Sequence, residues 1–92
     1  RQMCIRDSSI TLGRDSREVD IAITANCSKI SRVHCDVSYD YSNGYYIVND
    51  FSTNGTFINE NGIKTMIKKQ TIRAHSGDIL CIGDDNNCFE LL

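Results

Sequence analysis

Five polar side chains in three stretches carry the chemistry this sequence offers. Arg14 follows Gly13 at the end of the apolar run Ile10-Thr11-Leu12, and Ser31 and Arg32 open Ser31-Arg32-Val33-His34. Thr53 and Asn54 sit inside Asn49-Asp50-Phe51-Ser52-Thr53-Asn54-Gly55-Thr56-Phe57-Ile58-Asn59. Together they supply guanidinium forks, hydroxyls and a side-chain amide, a donor set suited to a compact anion. Bent polar loops add backbone N–H groups to such a set. Catalysis is not indicated. Cys35 adjoins His34, but neighbours on a strand point to opposite faces, so the two cannot work as a nucleophile–base pair. His75 lies in a polar loop without a recognisable partner. No metal-ligand set and no cofactor motif stands out.

These residues must be held by strands. Met3 to Arg6 and Ser9 to Leu12 read as short strands around Asp7-Ser8, followed by the Gly-led polar loop from Gly13 to Glu18. Val19, Ile21 and Ile23 alternate with Asp20, Ala22 and Thr24, the period of a half-buried strand. A polar connection from Thr24 to Lys29 then delivers the chain to Ser31. From His34 the alternation is clean, with Cys35, Val37, Tyr39 and Tyr41 on one face and His34, Asp36, Ser38 and Asp40 on the other. Ser42-Asn43-Gly44 predicts a hairpin with two successive positive φ values, and Tyr45 to Asn49 returns as its partner strand. Gly55 permits the positive φ that turns the central loop. Phe57 to Asn59 and Ile63-Lys64 flank a second Asn-Gly turn at Glu60-Asn61-Gly62. Thr65 to Ser76 reads as an irregular connection with a short strand near Ile72. Ile79 to Ile82 and Cys88 to Leu92 close the chain. Short strands, turn residues between them and no long helical pattern define an all-β sandwich or barrel.

Composition narrows the class. Ninety-two residues at 40% hydrophobic content make one small domain with enough apolar residues for a core. No apolar run approaches the roughly 18 residues that a spanning helix needs, so no membrane partner is expected. Arg1-Gln2-Met3-Cys4 shows no signal-peptide pattern, and residues 1–92 read as a single domain cut from a longer protein. The five cysteines (Cys4, Cys27, Cys35, Cys81, Cys88) form an odd set without a C-x-x-C pair. That argues for free thiols in a reducing, intracellular compartment rather than for a disulfide framework or a zinc site. Asn26-Cys27-Ser28 and Asn54-Gly55-Thr56 match the glycosylation pattern, which matters only in a secreted protein. A net charge of −2 argues against a broad grip on nucleic acid. Residues 1–34 nevertheless hold six basic against four acidic residues, and residues 35–92 hold four against eight. The excess of cations thus falls in the half that carries two of the three polar stretches.

Gly13-Arg14, then Ser31-Arg32-Val33-His34, then Ser52-Thr53-Asn54-Gly55-Thr56-Phe57-Ile58-Asn59, in this order and at these spacings, resembles the forkhead-associated (FHA) domain, from about Ile10 to Leu92. The resemblance implies a sandwich of two twisted, mainly antiparallel sheets with ligand loops at one end. It implies binding of phosphothreonine-containing protein partners by a monomeric domain, with the nucleus as the expected compartment. By the same resemblance Arg14 and Ser31 contact the phosphate, and Thr53 completes the site. Asn54 clamps the peptide main chain, and Arg32 adds a polar contact. His34 is then structural, with Gly13 and Gly55 supporting the loops. Lys29, together with Arg17, is expected to favour an acidic residue a few positions beyond the phosphothreonine. The connections Thr24 to Lys29 and Thr65 to Ser76 are long for the family, which bears on peptide selectivity rather than on the phosphate.

Two other readings stay open on the residues themselves. One is a phosphate-independent interaction scaffold. The other is a nucleic-acid-binding β-barrel using Lys64, Lys68, Lys69 and Arg73, although Tyr39, Tyr41, Tyr45 and Tyr46 lack interleaved basic residues.

Overall fold

Ten short strands account for nearly all the regular backbone in the computed structural model, which describes residues 2–3, 9–23, 29–83 and 87–92. They are β1 (Gln2–Met3), β2 (Ile10–Gly13), β3 (Ile21–Ala22), β4 (Cys35–Asp40) and β5 (Tyr45–Asp50). The second half holds β6 (Thr56–Glu60), β7 (Ile63–Ile67), β8 (Thr71–Ala74), β9 (Ile79–Ile82) and β10 (Cys88–Leu91). One sheet runs β1-β10-β9-β6-β7 and the other β3-β2-β4-β5-β8. Among the described residues, only β1 with β10 and β2 with β3 pair in parallel. This is the sandwich of two mainly antiparallel sheets that the family resemblance implies, and of the two architectures the strand pattern left open, sandwich or barrel, it is the first.

The core lies between the sheets. Leu12, Val37 and Val48 face it from one side, and Ile58, Leu80 and Phe89 from the other, all fully or almost fully buried. In β4 the expected face is observed, since Cys35 and Val37 are buried and Tyr39 packs on the core edge. Tyr41, expected to continue that face, lies beyond the strand and is exposed.

Several boundaries differ from the sequence reading for identifiable reasons. The first strand is Gln2–Met3, and its expected continuation to Arg6 lies outside the described residues. The strand expected over Val19 to Ile23 contracts to Ile21–Ala22, because Asp20 takes over the adjoining rung. Its carboxylate accepts the Thr11 N–H at 2.9 Å while its own N–H donates to the Thr11 carbonyl at 3.0 Å. The expected connection from Thr24 to Lys29 lies outside the described residues except for Lys29.

The Asn43-Gly44 turn has one left-handed residue, Gly44, rather than two. Asp40 builds the turn instead: its carboxylate accepts the N–H groups of Ser42 and Asn43 and the Asn43 amide, and its carbonyl accepts the Gly44 N–H. Those bonds, led by the Asn43 side chain, lower the Asp40 pKa. Asn61-Gly62 does adopt two positive φ values, 52° and 83°.

The segment Thr65 to Ser76, expected to be irregular apart from a short strand near Ile72, is mostly strand, and the strand near Ile72 is β8. β7 runs on to Ile67, which pairs with Thr56, and β8 pairs along β5. β7 is an edge strand exposed at four of its five positions, so no alternation marks it in the sequence. Between β7 and β8, Lys69 adopts φ 53°, fixed by its N–H bond to the Asp50 carboxylate at 2.8 Å.

The cysteines also depart from the expectation of free thiols. Cys81 and Cys88 form a disulfide. They face each other directly across β9 and β10 with Cα atoms 4.1 Å apart, a register that a seven-residue spacing does not announce. Cys35 remains a free thiol, buried in the core. Cys4 and Cys27 lie outside the described residues.

Candidate functional site

Three loops meet at one end of the sandwich: Arg14 to Asp20 after β2, Lys29 to His34 before β4, and Phe51 to Gly55 between β5 and β6. They meet because the backbone forces them together. The N–H of Arg14 donates to the carbonyls of Ser31 and Arg32 at 3.0 and 3.1 Å, and the N–H of Asp15 to Arg32 at 3.2 Å. Such an approach needs a glycine at position 13, where a Cβ would stand 2.1 Å from the Arg32 carbonyl oxygen. Gly55, at φ 96°, turns the third loop back toward β6.

His34 joins the second loop to the third. Its ring is fully buried, Nδ1 accepts the Ser31 N–H at 3.1 Å, and Nε2 lies 3.0 Å from the Gly55 carbonyl oxygen. An accepting Nδ1 places the proton of the neutral ring on Nε2, which donates it to Gly55. Burial lowers the His34 pKa, against the opposing pull of the Gly55 carbonyl and the Asp50 charge. His34 is therefore a neutral loop tie. Cys35, pointing the other way into the core, has its thiol pushed up to about 12, mainly by burial.

Asp50 is the hub of the third loop. Its buried carboxylate accepts bonds from the Ser52 N–H and hydroxyl, from the Thr56 hydroxyl at 2.5 Å and from the Lys69 N–H. Ser52, also buried, accepts the Gly55 N–H at 2.8 Å through its hydroxyl oxygen. The sequence reading assigned no role to Asp50 or Ser52. The signal was present in Asp-x-Ser, a spacing at which a carboxylate caps the backbone two residues on.

The loops enclose a shallow cleft of about 390 Å³ lined by Arg14, Glu18, Ser31, Arg32, Val33, Phe51 and Thr53. Arg14, Ser31, Arg32 and Thr53 are thus brought together. The Ser31 hydroxyl oxygen accepts the Thr53 N–H at 3.1 Å, and among the described residues its own proton goes to no acceptor. Asn54 is exposed beside the cleft, its amide 3.4 Å from the Lys29 carbonyl oxygen, so Lys29 and Asn54 share one flank. Arg17 is engaged elsewhere: Asp15 holds it in a two-pronged pair at 3.2 Å, which lowers the Asp15 pKa and raises that of Arg17. Glu18, a carboxylate within the cleft lining, escaped the sequence reading.

Two other expectations meet the structure here. Lys64 and Arg73 sit on different sheets, each over an aromatic ring: Lys64 at 4.7 Å from Phe57 and Arg73 at 4.9 Å from Tyr45. Glu60, His75 and Asp78 bring one potential metal-ligating atom each within 4.8 Å of one another. The cluster includes Glu60, at the end of β6 remote from the cleft, and its Asp78 carboxylate already caps the His75 N–H at 2.8 Å.

Fold and cleft together define a β-sandwich whose loops present a cleft lined by two arginines, one glutamate and two hydroxyl residues. The chain belongs to the FHA domain family, whose sequence model matches residues 10–83. Among curated proteins it is 33% identical over 79 residues to the E3 ubiquitin-protein ligase CHFR of Danio rerio, covering 86% of this chain and 12% of the ligase. It is 39% identical over 70 residues to the Mus musculus CHFR ligase, covering 76% of this chain and 10% of that protein. The chain thus spans about a tenth of the length of these relatives. Among solved structures, the N-terminal FHA domain of S. cerevisiae Rad53p in complex with a phosphothreonine peptide is similar at TM-score 0.64 and 28% identity, over 88% of this chain and 62% of that one. The MEK1 FHA domain in complex with a HOP1 phosphothreonine peptide shares the fold at TM-score 0.67 and 23% identity, over 86% of this chain and 76% of that one.

Proposed function

We propose that this chain recognises phosphothreonine in partner proteins through the cleft at the loop end of the sandwich, making and breaking no covalent bond. The reading rests on the meeting of Arg14, Ser31 and Thr53 around one cleft, each from a different loop. Phosphothreonine brings a charge of about −1.5 to −2 and three strong acceptor oxygens. Arg14 supplies the fork for two of them, the Ser31 proton serves the third, and Thr53 and Arg32 close the ring of donors. Asn54, on the rim beside Lys29, takes the peptide main chain and sets its register. Lys29 favours an acidic residue on that flank. Arg17, already paired with Asp15, contributes less than its position in the sequence suggests.

His34, Gly13 and Gly55 act through the loops they hold. Preference for threonine over serine would come from a pocket for one methyl group, worth only ~1–3 kcal/mol. An intracellular setting, the nucleus in particular, fits the kinship with ubiquitin ligases.

The test is a calorimetric titration of a phosphothreonine peptide beside its unmodified twin. Binding only by the phosphorylated form is expected, with Arg14→Ala weakening it by ~2–5 kcal/mol, the scale for removing one partner of a desolvated charge pair. Arg14 is exposed and supports no other side chain, so the variant should fold normally. Equal binding of the two peptides would replace this reading with a phosphate-independent scaffold.

A further inference from the structure

Beside the cleft lies a second one, of about 410 Å³, lined by Asn49, Asp50, Phe51, Lys69, Gln70 and Thr71. Phe51 lines both. Its side chain is half exposed although it stands between Asp50 and Ser52, in a loop held by several side-chain bonds. Its backbone is fixed on both sides: Phe51 N–H donates to the His34 carbonyl at 2.9 Å, and Asp50 N–H to the Gln70 carbonyl at 2.9 Å. The loop cannot simply turn the ring inward.

The walls of the second cleft are self-satisfied. The Asn49 amide donates to Asp36 at 2.8 Å and accepts the Thr71 hydroxyl proton at 2.6 Å, while the Asp50 carboxylate is taken up by Ser52, Thr56 and the Lys69 N–H. The rim differs. Lys69 is held by its backbone N–H on Asp50 in a left-handed conformation, and among the described residues no carboxylate pairs with its ammonium. The cleft therefore presents a rigid polar floor, an exposed aromatic ring at the end nearest Arg14 and Ser31, and an unpaired cation beyond it.

The geometry points to this groove as a second specificity subsite for the same phosphopeptide, taking the flank of the phosphothreonine that runs away from Asn54 and Lys29. It rests on the phosphothreonine reading above. An extended peptide advances about 3.3 Å per residue. A residue one or two positions from the phosphothreonine packs on Phe51, and one a step further reaches Lys69. The selected sequence on that flank is an apolar or aromatic residue followed, going outward, by an acidic one. Continuity through Phe51 joins this groove to the anion cleft, and the Lys69 charge selects the acid. Selectivity then comes from both flanks, with Lys29 on one side and Phe51 with Lys69 on the other.

The experiment is a phosphothreonine peptide library randomised on both flanks, screened against the wild-type chain, Phe51→Ala and Lys69→Glu. The best wild-type peptide is then titrated against all three. The wild type should enrich an apolar residue close to the phosphothreonine and an acid beyond it on one flank. Phe51→Ala should lose the apolar enrichment and weaken the best peptide about tenfold, the order for one partly buried apolar side chain. Lys69→Glu should turn the acidic preference basic. Circular dichroism of the variants checks the fold, which an exposed ring and an exposed lysine should not disturb. Enrichment unchanged in both variants, with phosphate dependence intact, overturns the subsite and leaves the phosphothreonine reading standing. Loss of phosphate dependence in the wild type overturns that reading and the subsite with it.

Discussion

Glu18 lines the cleft together with Arg14 and Arg32, so the site is less positive than its arginines suggest. A carboxylate there repels an incoming phosphate and attracts the same guanidiniums that must grip it. Glu18→Gln removes the repulsion without changing size. Phosphothreonine affinity should rise roughly two- to fivefold, the scale of exposed charge pairs, and more at low salt than at high salt. Titrations at two ionic strengths measure this; equal or weaker binding at low salt would mean that Glu18 faces away from the ligand. At this scale the donors were legible because Arg, Ser, Thr and Asn advertise their chemistry. Asp50, Ser52 and Glu18 were not. The first two spend their polar atoms on the chain itself, Ser52 on its own loop and Asp50 on that loop, Thr56 and the Lys69 N–H, and Glu18 enters the cleft only through the path of its loop.

Gly13 shows how elements place residues that cannot place themselves. The end of β2 lies on the Ser31–Arg32 backbone, and a Cβ at position 13 would stand 2.1 Å from a carbonyl oxygen that cannot rotate away. Gly13→Ala must push two ligand loops apart and strain the bonds from Arg14 and Asp15 to Arg32. Stability should fall by ~1–3 kcal/mol, as in other overpacked sites, and phosphopeptide affinity should fall with it. Urea denaturation and titration of the same variant check both. Wild-type stability would show that the loops tolerate wider spacing. Among the elements, the half-buried strands β4 and β5 were readable because one face alternates with the other. The edge strand β7 was read only at Ile63-Lys64, beside its turn; its run on to Ile67 was not, since a strand exposed at most positions leaves no period. The Cys81–Cys88 pair escaped for a related reason: cross-strand register, not spacing, brings the two sulfurs together. The shortened β3 owes its length to one carboxylate, Asp20, that pattern alone does not mark as a ladder substitute.

On the scale of the whole molecule, His34 is the point where ligand site and fold share one proton. It stands just before β4 of one sheet and bonds Gly55, just before β6 of the other, so its ring ties the two sheets together at the loop end. Its pKa is lowered from 6.5, chiefly by burial. The unfolded chain therefore takes up a proton at a higher pH than the folded one does. Between 6.5 and the lowered folded value the unfolded state binds more protons, so stability rises with pH and is lost as pH falls through that window. A separate decline belongs below the ordinary carboxylate value of 3.8, where Asp15 and Asp40, both part-covered at the surface, lose the bonds that lower their pKa. The first decline should thus begin in mildly acid solution, well before the carboxylates titrate. Peptide affinity is a poor reporter there, because a phosphate's second pKa of about 6 overlaps the same range. Urea midpoints of the peptide-free wild type and of His34→Gln from pH 8 to pH 5 isolate this histidine by difference, since both chains keep His75. His34→Gln should be less stable at every pH, having lost the geometry of the Ser31 and Gly55 bonds, yet with a shallower slope across this range. A variant that keeps the wild-type slope would place the titrating group elsewhere and remove His34 as the proton-sensitive tie between the sheets.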